Sequence, residues 1–124
     1  MIDIDADEDG FVDAVSFVIY GGTGDWADLL WPHRWALYSQ EVFINGARVY
    51  DYLFMLGGSS YFNVGVLAHE FGHALGLPDL YDTDYSSSGS GKLALMASGS
   101  WGTSNNSPWY PATMIGWCKN QLGW

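Results

Sequence analysis

Basic residues are scarce in this chain: four Lys and Arg stand against fourteen Asp and Glu, a formal net charge of −10. A surface of that sign repels phosphate backbones, so no nucleic-acid partner is expected. Cysteine is nearly absent. Cys118 is the single one, so no internal disulfide can form and pairing says nothing about redox compartment. Its amphipathic C-terminal segment suits a buried, inert thiol better than a nucleophile. No apolar run approaches the length of a membrane span, and the acidic opening residues do not read as a signal peptide. What remains is apolar (48%), aromatic (17%) and rich in glycine (16 residues), the composition of a packed globule with tight connections. At 124 residues the chain has room for one domain. An acidic, cation-seeking monomer is expected.

Local patterns divide the chain without any internal repeat. Residues 3–13 read as an acidic loop, and "AVSFVIY" (14–20) as a buried strand, because a continuous apolar run implies cover on both faces. Residues 21–35 read as a Gly- and Trp-rich loop. In "EVFINGARVYDYLFM", two strand-like runs flank Asn45-Gly46, a pair that tolerates the positive φ of a tight hairpin turn. Asn63 can cap a helix that runs to about Leu75, with Gly76 ending it. A polar loop follows over 81–92. Ser107-Pro108 then predicts an N-cap and first-turn proline for a helix through about Cys118. Together these elements predict an α+β domain.

The central helix carries "HEFGHALGLPD" (69–79). His69 and His73 are four apart, so both imidazoles project from one helix face, one turn apart. That spacing suits two ligands on one tetrahedral Zn²⁺. Glu70 adjoins the first histidine and is placed to act as general base toward a water on the metal. Gly76 lets the chain turn back, which positions Asp79 as third ligand and leaves a fourth position open, the arrangement of a catalytic zinc. Asp82 and Asp84 lie close behind and could compete with Asp79, bind a separate calcium or simply cap the loop. A lone histidine on a helix is usually structural; two at this spacing with the glutamate and glycine in place rarely coincide by chance.

Further along, Met96 in "LALMASGSWG" fits a methionine turn, an apolar floor beneath the metal that does not ligate it. The order of zinc helix, loop, methionine turn and final helix is the metzincin pattern. More closely, "AHEFGHALGLPDLYDTD", "LMASGSW" and the terminal "QLGW", with "DADEDGFVDAVSFVIY" and "WPHRW" upstream, resemble the immune inhibitor A family of secreted bacterial metallopeptidases. That resemblance implies a metzincin-like zincin core, zinc-dependent endopeptidase activity on protein or peptide substrates, secretion, and calcium for stability. It also implies His69 and His73 as zinc ligands with Asp79 at the third-ligand position, Glu70 as base and Met96 as the turn residue. The whole chain, 1–124, is then expected to be one catalytic domain, shortened at its N-terminus.

A second ion candidate is the opening loop. Asp5, Asp7 and Asp9 alternate, Gly10 follows, the Phe11 carbonyl takes the seventh place and Asp13 the ninth, matching the first nine positions of an EF-hand-type calcium loop. Ser16 stands where the bidentate glutamate belongs, so moderate affinity is expected, with Val12 anchoring the loop to the core. His33, between Trp31 and Trp35, reads as a structural loop histidine. Tyr81 and Tyr85 are both candidates for oxyanion stabilisation, and spacing does not choose between them. Two rivals to the enzyme stand: an inactive fragment of the same peptidase, and a calcium-binding interaction module with a vestigial zinc motif.

Overall fold

The fold is that of a computed structural model, which describes residues 3–21, 31–58, 62–103 and 107–124. Two compact units divide the chain, residues 1–59 and 60–124. The expected Gly- and Trp-rich loop falls largely on 22–30, outside the described residues.

The first unit is built on strands. β1 (Ser16–Tyr20), β5 (Asp51–Gly57) and β2 (His33–Ala36) form a three-stranded mixed sheet in the order β1-β5-β2. β1 runs parallel to β5 with Phe17 opposite Phe54, and β2 runs antiparallel with His33 opposite Phe54. As the central strand, β5 is flanked on both edges, and its run Leu53, Phe54, Met55 and Leu56 is buried throughout. This is the sequence habit of a strand covered on both faces. β1 corrects the expectation for "AVSFVIY". It is a strand, but all five of its residues are exposed. Among the described residues its one strand neighbour is β5, so it lies at an edge there, and the apolar run does not signal burial. The loop expected over 21–35 is also corrected at its end, where "HRWA" pairs with β5 as β2.

The predicted hairpin is present as β3 (Val42–Ile44) and β4 (Ala47–Val49). Asn45 (φ 51) and Gly46 (φ 96) take the positive backbone angles that such a turn requires. Val12 packs with Ala47 and Val49 in a small core, as anticipated for the anchor of the acidic loop.

The second unit is mainly helical and irregular. α1 (Val64–Ala74) starts at Asn63, whose side-chain oxygen accepts the Val66 amide at 2.9 Å. It stops at Leu75. The Gly76 amide then donates to the His73 carbonyl and the Leu77 amide to the Gly72 carbonyl, both at 3.0 Å. This double bond pattern needs a left-handed residue, and Gly76 supplies it with φ 89. Short 3-10 turns follow at Gly91–Leu93 and Ser98–Trp101, and α2 (Gly116–Gln121) ends the chain. Leu77, Met96 and Cys118 form the core beneath, and Cys118 is fully buried as expected.

Here the helix expected from Ser107-Pro108 is overturned. Residues 107–115 are not helical, and α2 begins only at Gly116. Pro111 explains this: inside such a helix it would remove a donor and clash with the preceding turn. The stretch is used in backbone pairing instead. The Pro108 carbonyl accepts the Gly65 amide, the Ala112 amide donates to Gly99, and the Thr113 carbonyl accepts the Leu95 amide.

Candidate metal centre

One face of α1 and the chain returning from Gly76 converge in the second unit. One potential ligand atom each from His69, His73 and Asp79 lies within 4.8 Å of the others. The two imidazoles meet edge to face, with centroids 4.8 Å apart. Spacing four apart brings the rings together, and the glycine turn brings the carboxylate to them.

Each ring is oriented from behind. His69 Nδ1 lies 2.9 Å from the Leu95 carbonyl and His73 Nδ1 lies 2.8 Å from the Leu77 carbonyl. A carbonyl only accepts, so both Nδ1 atoms must carry the proton and donate. The lone pair of each neutral ring is therefore on Nε2, and both Nε2 atoms face Asp79. Fixing the tautomer through the far nitrogen is the usual way a protein prepares histidine to bind a metal. Composition and spacing alone did not find Leu95 and Leu77, because any residue type supplies a carbonyl.

Asp79 Oδ1 lies 3.0 Å from His69 Nε2 and 3.2 Å from His73 Nε2. Despite these short separations it is buried and accepts no hydrogen bond, because the Nε2 atoms facing it carry lone pairs and not protons. A buried carboxylate oxygen without a donor is costly. A cation held between it and the two Nε2 lone pairs would remove that cost, so these residues fit a metal.

Charge in the metal-free trio is arranged accordingly. Burial works against the charged form of His69, but the Asp79 carboxylate and the Leu95 carbonyl outweigh it and raise the pKa. The Asp79 carboxylate raises that of His73, against a smaller opposing effect of burial. Asp79 is itself penalised by burial, yet His69, His73 and Tyr81 together hold it well below the usual carboxylate range. Tyr81 donates its hydroxyl hydrogen bond to Asp79 Oδ2 at 2.8 Å, and its ring lies nearly parallel to His69 at 6.4 Å. Burial, with Asp79 beside it, pushes the Tyr81 phenol up to about 12.

Glu70 is buried on α1 next to His69, and its charge reaches His69, His73 and Tyr81. Met96 is fully buried under the same helix. A Cβ placed on Gly72, between the two histidines, would overlap the Met96 sulfur, so the absence of a side chain there lets the methionine pack close. The Met96 carbonyl accepts the Leu80 amide at 2.6 Å, which ties this segment to the one carrying Asp79.

The remaining site expectations divide. Asp82 and Asp84 cap their own loop, taking the amides of Asp84, Ser86 and Ser87. Tyr85 is almost wholly exposed. His33 lies in β2, stacked on Phe54 at 5.3 Å with Nδ1 donating to the Trp31 carbonyl, a packed structural residue. In the acidic loop, carboxylate oxygens of Asp5, Asp7 and Asp13 converge, and Asp9 is outside that group. These oxygens already accept backbone amides: Asp5 takes those of Asp9 and Gly10, and Asp13 takes that of Ala6. Asp9 in turn accepts the Phe11 amide. Exposed acidic groups commonly meet in this way without an ion, so the loop geometry assigns no calcium.

Against known families, the model of the immune inhibitor A peptidase M6 catalytic domain matches residues 7–124. The chain belongs to that family. Among its relatives, immune inhibitor A of Bacillus thuringiensis subsp. alesti is 34% identical, in an alignment covering 75% of this chain and 16% of that protein. The pre-pro-metalloprotease PrtV of Vibrio cholerae serotype O1 is also 34% identical, covering 77% of this chain and 11% of its own length. The chain therefore spans less than a fifth of either relative. No helix among the described residues is long and apolar enough to cross a membrane.

Proposed function

We propose that this chain carries the catalytic centre of a secreted zinc metalloendopeptidase with a metzincin-like core. One observation carries the reading. Two histidines whose Nε2 lone pairs are fixed by carbonyls behind them face a buried carboxylate oxygen that has no hydrogen-bond donor. His69, His73 and Asp79 would hold the metal. When bound, zinc supplies a Lewis acid that polarises the scissile carbonyl and acidifies water.

The protein's own groups do the rest. Glu70, buried beside His69, would take the proton of the attacking water on its carboxylate and give it to the departing amine nitrogen. Carbonyl partners hold the protons of His69 and His73 on Nδ1, and both Nε2 lone pairs would be engaged by the metal, so neither ring competes with Glu70 for that proton. Met96 packs buried against the underside of the helix, and Gly72 lets it sit close. Protein substrates and secretion are supported by kinship, since one relative is named a pre-pro-metalloprotease.

The test combines metal content with hydrolysis. Wild type is expected to bind one zinc and to cleave casein in a chelator-sensitive way. Glu70→Gln should keep the zinc and lose at least about 100-fold in rate, the usual worth of a general base. Stoichiometric zinc without wild-type cleavage would favour the inactive fragment, and no zinc at all would sink the enzyme.

A further inference from the structure

We propose that Tyr81 is a positioning residue for the metal centre: its hydroxyl holds Asp79 Oδ2, so the carboxylate presents one oxygen, Oδ1, instead of two. The inference rests on the reading of His69, His73 and Asp79 as ligands.

A carboxylate can meet a cation through one oxygen or both. What decides is whether the second oxygen is already engaged. Here it is, by the Tyr81 hydroxyl at 2.8 Å, while Oδ1 is the oxygen turned toward both Nε2 atoms. The tyrosine ring is steadied in turn by lying flat against His69, 13° from parallel. One residue therefore contacts two of the three ligand candidates, by an edge and by a face. An aspartate ligand brings a negative charge that a histidine would not, and a donor on its distal oxygen draws some of that charge away. Partners of this kind typically change metal affinity 10–100-fold. Tyr85, the other aromatic candidate of the loop, is almost wholly exposed and makes no equivalent claim.

Tyr81→Phe deletes the hydroxyl and keeps the half-exposed ring, so the fold should persist. The deciding measurement is the visible spectrum of the cobalt-substituted protein. Wild type should show the intense bands of a low-coordinate site. Tyr81→Phe should show markedly weaker ones as the freed Oδ2 joins the metal, together with zinc affinity lowered roughly 10-fold or more by chelator competition. In an Asp79→Ala background the same tyrosine change should alter neither readout. An unchanged cobalt spectrum overturns the proposal whatever the affinity does, and so does an equal effect with and without Asp79. A wild type that binds neither cobalt nor zinc has a different meaning. It removes the metal centre itself, and this inference with it.

Discussion

Gly72→Ala tests the close packing beneath the metal helix. In a solvent-exposed helix interior, replacing glycine by alanine gains about 1 kcal/mol, because alanine is the better helix former. Here the added Cβ would overlap the Met96 sulfur, come to 3.0 Å from its methyl carbon and reach 3.8 Å from that of Met114. The sulfur is mid-chain, not a flexible tip. Met96 has no exposure and is packed with Leu77 and Cys118, while its carbonyl is tied to the Leu80 amide. It has nowhere to swing. Overpacking of this kind costs about 1–3 kcal/mol, and the severity of the overlap puts it near the upper end. The net effect is a loss of roughly 2 kcal/mol, a fall in Tm of roughly 6–10 °C for a chain of this size.

Thermal melts of four proteins decide it: wild type, Gly72→Ala, Met96→Val and the double variant. Valine has no atom where the sulfur was, so Gly72→Ala should stabilise the Met96→Val background by up to about 1 kcal/mol. That reversal of sign is the signature of the contact. If Gly72→Ala stabilised the wild type, as an ordinary helical glycine would, the packing of methionine against helix would be refuted.

Other perturbations address the turn, the trio and the cap. Gly76→Ala should cost about 1–2 kcal/mol in urea denaturation from backbone strain alone, because φ is 89 and nothing lies within 4 Å of the added Cβ; Gly76→Asn should recover part of that, and equal stability of all three would count against the turn. In metal-free protein, His69 and His73 have pKa values raised from 6.5, so their contribution is full below 6.5 and fades as pH climbs through the raised values. Asp79 is depressed from 3.8, so its contribution holds above 3.8 and fades as pH drops through the lowered value. The trio therefore stabilises metal-free protein most between 3.8 and 6.5, whereas zinc needs neutral rings. Zinc should accordingly raise the melting temperature more at about pH 8 than at about pH 5, and a larger rise in acid would refute the assignment. Asn63→Ala should cost about 1 kcal/mol, read in the same melts, for loss of the Val66 amide bond.

What was legible in the sequence was whatever local chemistry dictates. Asn63, Gly76 and the Asn45-Gly46 pair are each fixed by backbone needs that one or two residues satisfy, and each appears where the sequence placed it. The same holds for the meeting of His69 and His73, set by helical pitch alone. Reading failed where burial depends on distant partners. The apolar run of β1 has the pattern of a covered strand, yet among the described residues it lies at a sheet edge, which no property of Ser16–Tyr20 reveals. At 107–115, a local capping signal lost to Pro111 and to backbone pairing with the 94–99 segment.

The metal centre shows the same division within a few ångströms. The ligand candidates are readable because imidazole and carboxylate are rare, specific groups. The atoms that prepare them are not. His69 is oriented by a carbonyl 26 residues away, and a carbonyl is present at every position. Tyr81 stands between these cases: the sequence marked it as a candidate to stabilise an oxyanion, whereas its hydroxyl is engaged with Asp79. On the reading proposed above, that hydrogen bond moves the tyrosine's role from the substrate to the ligand. As a third ligand Asp79 would then not act alone, because the donor on its far oxygen would offset part of the charge that separates it from histidine.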